Sequence, residues 1–121
     1  MKLSIIMPVY NEKDTLLKII EKVKKLPLDK GLIIVDDFST DGSREILKNY
    51  PPEENIKIVF HDRNRGKGSA IKTGLSYVTG EAVVIQDADL EYEPMDFLNL
   101  LKPIMEDKAK VVYGSRLLNF E

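Results

Sequence analysis

The chain has 121 residues, 43% of them hydrophobic, which sets the scale of one domain with one core. Lysine and arginine number 18 against 20 acidic residues, a net charge of −2, so no basic field favours nucleic acid or an anionic membrane as partner. There is no cysteine, which excludes disulfides and thiolate chemistry.

Apolar runs and amphipathic runs alternate from end to end. Leu3 to Met7 reads as a first strand, because the run is ended by Pro8 and is too short for the core of a signal peptide. Glu12 to Lys25 reads as a helix, with Leu16, Ile19, Ile20 and Val23 on one face and Asn11 as its N-cap. Leu32 to Val35 is a second strand. Asp41 to Tyr50 is a second helix, with Ile46, Leu47 and Tyr50 inward, and Pro51-Pro52 ends it. Ile56 to Phe60 is a third strand. Gly66 to Val78 is a third helix that packs through Ala70, Ile71 and Leu75. Glu81 to Gln86 is a fourth strand. Pro94 suits the first turn of a helix carrying Phe97, Leu98, Leu101 and Met105, and Val111 to Gly114 is a fifth strand. No stretch approaches the length of a membrane span, so a soluble, cytoplasmic chain is expected.

This alternation predicts an α/β fold: a mostly parallel open sheet with helices on both faces. In such sheets ligands bind outside the carboxyl ends of the strands. The polar clusters fall there: Pro8 to Glu12, Asp36 to Ser43, Asp62 to Gly68, Asp87 to Glu91 and Gly114 to Arg116. Five loops aimed at one edge argue more strongly than any one motif. In Asp87-Ala88-Asp89, the carboxylates at i and i+2 of an extended segment share a side and can converge just past the fourth strand. Glu91 can follow them. Carboxylates that close repel unless a cation lies between them, and an all-oxygen set suits Mg²⁺ or Mn²⁺. Mg²⁺ usually completes its shell with substrate phosphates, which predicts a phosphorylated substrate.

Taken together, Pro8-Val9-Tyr10-Asn11-Glu12, Val35-Asp36-Asp37 with Ser39 and Asp41-Gly42-Ser43, Asn64-Arg65-Gly66-Lys67-Gly68 and Asp87-Ala88-Asp89 resemble the nucleotide-sugar-binding half of the inverting family 2 glycosyltransferases. That family has the GT-A fold, a Rossmann-like nucleotide-diphospho-sugar transferase architecture. Asp87-Ala88-Asp89-Leu90-Glu91 and Gly114-Ser115-Arg116 are most similar to the polyprenyl (dolichol) phosphate mannose and glucose synthases. The resemblance covers residues 1–121 as a single domain, and only the first part of the family's catalytic domain, before its acceptor-binding half. It implies that Pro8 and Tyr10 line the base pocket, that Glu12 meets the ribose and that Asp36 hydrogen-bonds the base. It further implies that Asp87 and Asp89 hold the metal against the diphosphate, with Glu91 as third ligand where that branch often has Gln. Arg116 and Lys67 would meet phosphate oxygens, and Asp89 and Arg116 would carry the catalysis. The implied partners are a GDP- or UDP-linked hexose and a polyprenyl-phosphate acceptor, which would bring the chain to a membrane surface. The implied reaction is metal-dependent transfer with inversion.

Simpler readings compete at several positions. An EF-hand fails because the sixth position from Asp87 is Tyr92, and Gly66-Lys67-Gly68-Ser69 lacks the upstream glycine of a Walker loop. Helix capping rivals ligand contact at Asp36-Asp37, with Asp37 as the supporting residue and Asp36 as the contact. Arg63 and Arg65 fit a solvated loop equally well. His61, the single histidine, reads as a strand-end surface residue. Of the rival functions, a nucleotidyltransferase would need a glycine-rich basic loop after the first strand, where Pro8 to Glu12 stands. A receiver domain would put its acidic cluster there. A donor-binding fragment or regulatory domain without turnover keeps the fold. In that case transfer would need a partner chain or a homodimer covering an exposed edge.

Overall fold

A computed structural model describes residues 3–27, 29–78, 82–86, 88, 110–113 and 116–119, the last two stretches by backbone course. Strands β1 (Leu3–Val9), β2 (Lys30–Asp36), β3 (Ile56–Phe60), β4 (Ala82–Ile85), β5 (Lys110–Tyr113) and β6 (Arg116–Asn119) form one sheet in the order β3-β2-β1-β4-β5-β6. The first five run parallel and β6 pairs antiparallel with β5, Tyr113 opposite Arg116. Helices α1 (Leu16–Lys24), α2 (Ser43–Lys48) and α3 (Lys67–Leu75) are the crossovers among the described residues. Arg116, expected in a loop after the fifth strand, opens strand β6. Gly114-Ser115 between two apolar runs is a short hairpin signal that accounts for it. The helix expected around Pro94 lies outside the described residues.

Strand alternation sorts the core into two faces. Leu3, Ile5, Met7 and Val9 of β1 join Leu32 and Ile34 of β2 in a cluster with Leu16, Ile19, Ile20 and Val23 of α1 and Leu47 of α2. Ile6, Ile33, Val35 and Ile85 point the other way and meet Ala70, with Ile71 beside it, on α3. The expected inward face of α1 is fully buried, and each of its four apolar side chains contributes about 1.5–3 kcal/mol. Leu75, expected to pack, is exposed; Gly74 takes the contact against β1 instead.

Helix α1 starts at Leu16, not at Glu12, and Asn11 does not cap it. Asn11 sits at φ +54°, and its Oδ1 accepts from the Thr40 N–H at 2.8 Å. Thr15 is the N-cap, yet its hydroxyl makes no cap bond and donates to the Ala88 carbonyl at 2.6 Å. The turn after β1 is thus tied sideways, to the loops after β2 and β4.

Gly74 shows how tightly α3 lies on the sheet. A Cβ there would sit 2.6 Å from Cγ2 of the fully buried Ile6. Gly74→Ala should destabilise by about 1–2 kcal/mol, because overpacking outweighs the roughly 1 kcal/mol that alanine gains in helix propensity. Urea unfolding would check this, and a more stable variant would show that α3 can lift without loss.

Candidate functional site

The chain order winds outward from β1 in both directions, to β2 and β3 on one side and to β4 and β5 on the other. Such a switch leaves a crevice at the carboxyl ends of β1 and β4, where open α/β sheets take ligands. A cleft of about 310 Å³ lies there. Of the residues the sequence put at the nucleotide, Pro8, Tyr10, Glu12 and Lys67 line it. Strand parity explains Pro8, since even positions of β1 face the α3 side. Ala88, anchored by Thr15, closes the β4 side. Asp87, Asp89 and Glu91 lie outside the described residues, as does the side chain of Arg116.

The loop after β1 is stitched to the loop after β2 by side chains. The Asn11 N–H donates to Ser39 Oγ and the Glu12 N–H to Ser43 Oγ, each at 3.0 Å. The Lys13 N–H donates to Asp41 Oδ2 at 3.1 Å. Asp41 also accepts from the hydroxyl of Ser43 at 2.6 Å and from its N–H at 3.0 Å. Burial works to raise the Asp41 carboxyl, but these bonds from Ser43 and Lys13 outweigh it and hold the group below its usual range. Ser39 and Asp41-Gly42-Ser43 therefore shape the cleft rim and do not line the cleft. Gly42 takes φ +109° to make that turn.

The paired aspartates diverge. Asp36 faces the α1–α2 side and is fully buried; its Oδ2 accepts from Arg44 Nη1 at 3.1 Å and from the Ser39 N–H at 3.2 Å. Its Oδ1 is buried without a hydrogen-bond partner. Arg44 also donates to the His61 carbonyl at 2.9 Å, and its guanidinium lies over the rings of Phe38 and Phe60. Asp36, assigned to the base from sequence, is not on the cleft wall. Asp37 is. Its Oδ1 accepts from the Arg65 N–H at 2.8 Å and from His61 Nδ1 at 2.9 Å, and its Oδ2 accepts from the Gly66 N–H at 2.9 Å.

Asp37 thereby fixes the loop that leads into α3, where Gly66 adopts φ +93°. It supports that loop and lines the cleft as well. His61 is buried and not at the surface; its Nε2 bonds Thr73 Oγ1 of α3 at 2.8 Å. The reason is that β3 ends at Phe60 beneath the incoming helix, so the next side chain, His61, is roofed by α3. The parity of β2 carries the signal that separates Asp36 from Asp37. A lone histidine directly after a strand and before a glycine-rich loop carries the signal for His61.

Among the described residues no cluster of three or more acidic, histidine or cysteine side chains could hold a metal, and no helix is long and apolar enough to cross a membrane. The metal ligands expected from sequence lie outside that description. Two described residues flank Asp87 in the sequence: the Gln86 N–H bonds the Ile6 carbonyl at 2.9 Å, and the Ala88 carbonyl accepts from the Thr15 hydroxyl. By its chemistry an all-carboxylate set fits Mg²⁺ or Mn²⁺.

Known proteins are similar to this chain in sequence and in fold. An undecaprenyl-phosphate 4-deoxy-4-formamido-L-arabinose transferase of Photorhabdus laumondii is 36% identical over 124 residues, covering 98% of this chain and 38% of that protein. The protein of the same name from Yersinia enterocolitica is 39% identical, over 92% of this chain and 36% of its own length. The chain thus spans less than half of these relatives. Among solved structures, S. aureus TarS in complex with UDP-GlcNAc superposes with a TM-score of 0.73 at 25% identity, over 91% of this chain and 32% of that one. The mannosyltransferase PcManGT of Pyrobaculum calidifontis, in complex with GDP-Man and Mn²⁺, gives 0.68 at 26% identity, over 95% and 43%. The sequence model described as Glycosyl transferase family 2 matches residues 4–121, and this chain belongs to that family.

Proposed function

We propose that this chain binds the donor of a metal-dependent inverting glycosyltransferase that moves a hexose from a GDP- or UDP-linked sugar to a polyprenyl phosphate. The observation that carries it is the cleft at the β1–β4 switch, where an exposed aromatic, an anchored carboxylate and a basic side chain (Tyr10, Asp37 and Lys67) come together. The Tyr10 ring, half exposed beside Pro8, offers a face for a base to stack on. An ionised carboxylate only accepts hydrogen bonds. Asp37 in the cleft wall can therefore accept the ring N–H on the pairing edge of guanine or uracil. Base recognition thus moves from Asp36 to its neighbour. Glu12 would take ribose hydroxyls, and Lys67 and Arg116 would neutralise phosphate oxygens, Arg116 with a bidentate fork.

Asp87 and Asp89, with Glu91, would hold the divalent ion, which when bound stabilises the charge growing on the leaving diphosphate. Transfer forms a bond from the acceptor oxygen to C1 of the sugar as the bond from C1 to the diphosphate breaks on the opposite face, which inverts the centre. A phosphate acceptor is already anionic and needs no general base. The names of the relatives support a polyprenyl-phosphate acceptor, and the ligands of the solved neighbours support a nucleotide-sugar donor with a divalent ion. A cytoplasmic location with peripheral contact to the membrane follows from a lipid acceptor, and a homodimer remains part of this proposal for turnover.

Calorimetric titration of GDP and UDP, each with Mn²⁺ and with EDTA, tests the donor site. One nucleotide should bind with metal, and chelation should remove most of that binding. Binding of neither would overturn the proposal, and product formation from a nucleotide sugar separates transfer from donor binding alone. Asp89→Ala should abolish the metal-dependent part of nucleotide binding; affinity equal to the wild type would show that the metal lies elsewhere.

A further inference from the structure

His61 has a role that the proposed reaction does not yet use. Its ring is buried, and both ring nitrogens are bonded. The Asp37 carboxylate can only accept, so Nδ1 carries the hydrogen; in the neutral ring Nε2 then accepts from the Thr73 hydroxyl. The network therefore assigns the tautomer. The ring is clamped between the end of β2 and the middle of α3, and the backbone N–H of His61 bonds the Asp36 carbonyl at 2.9 Å. It cannot turn without breaking a bond.

Each carboxylate oxygen has room for about two donors. Among the described residues Asp37 Oδ1 has two, His61 Nδ1 and the Arg65 N–H, and Oδ2 has one, the Gly66 N–H. One acceptor position is left on Oδ2, on a residue that lines the cleft. Without the imidazole, each oxygen keeps a single backbone donor, and the carboxylate is held less tightly about its last torsion, which is broad for aspartate.

We infer that His61 is a positioning residue for donor selection: it holds the Asp37 carboxylate so that the remaining Oδ2 lone pair meets the ring N–H of the nucleobase. This rests on the donor site proposed above. The role is separable from general support of the fold, because it acts on the base and not on the diphosphate.

The test titrates GDP, UDP and inorganic pyrophosphate, each with Mn²⁺, into the wild-type chain and into His61→Leu, His61→Asn and His61→Gln, with circular dichroism to verify folding. His61→Leu should weaken the preferred nucleotide by about tenfold to hundredfold, the usual size of one lost charge-assisted contact, and change pyrophosphate less than about twofold. The amide nitrogen of asparagine falls near the Nδ1 position, and that of glutamine near Nε2. His61→Asn should therefore recover most of the nucleotide affinity, and His61→Gln should not. If His61→Leu does not fold, the contrast between asparagine and glutamine decides the matter. Equal nucleotide affinity in all variants overturns the inference, as does a parallel loss of nucleotide and pyrophosphate, or asparagine no better than glutamine. A wild type that binds neither nucleotide overturns the donor site itself, an outcome distinct from the other three.

Discussion

Arg44→Ala should lower the folding free energy by about 3–5 kcal/mol, the loss expected when one partner of a buried ion pair is removed. Asp36 is fully buried and Arg44 is 19% exposed, so solvent screens the pair little. Asp36 Oδ2 would keep only the Ser39 N–H, and Oδ1 already lacks a partner. The same truncation leaves the His61 carbonyl without its Arg44 donor and strips the guanidinium from the rings of Phe38 and Phe60. Urea unfolding measures the loss. Adding Asp36→Ala to Arg44→Ala should restore part of it, because no charge is then stranded. Strict additivity of the two substitutions would show that they do not interact. A loss under about 1 kcal/mol for Arg44→Ala would mean that the ion pair is exchanged for water at little cost.

Asp37→Asn should both destabilise the chain, by about 2–4 kcal/mol, and weaken nucleotide binding by tenfold or more. Three donors converge on this carboxylate, two backbone N–H groups and one ring nitrogen. An amide has one acceptor oxygen, so at least one of the three would face an NH₂ group. The loop before α3 would loosen, and the acceptor proposed to meet the base would be lost with it. Thermal melts and calorimetry read the two effects separately. Unchanged nucleotide affinity in a folded Asp37→Asn chain would remove Asp37 from base recognition and leave it a loop anchor. Asp36→Asn, by contrast, should affect stability and leave binding of the nucleotide within about twofold, because its side chain faces the other side of the sheet.

Much of the architecture can be read from pattern alone. The apolar runs from Leu3, Leu32, Ile56 and Ala82 fall on strands, and Leu16, Ile19, Ile20 and Val23 form the buried stripe of α1. These hold because a period of two or of 3.6 leaves few ways to bury an apolar set. Boundaries read less well. Helix α1 begins four residues after the expected Glu12, and Asn11 is drawn away from it to the Thr40 N–H. Capping propensity is local, and a tertiary partner across the sheet edge outcompeted it.

The amino-acid sequence by itself determined the class of fold, the edge of the sheet where the cleft lies and the family, because periodicity and loop order survive without knowledge of any contact. It also placed Pro8, Tyr10, Glu12 and Lys67 at the cleft that the structure contains. Only the tertiary structure decided which of two adjacent aspartates faces that cleft, that Arg44 neutralises the other, and that His61 is buried between Asp37 and Thr73. Those outcomes depend on which element roofs each face of β2. Helix α2 brings Arg44 to one side and α3 brings Thr73 to the other, and the distance between partners along the chain hides both from any local pattern.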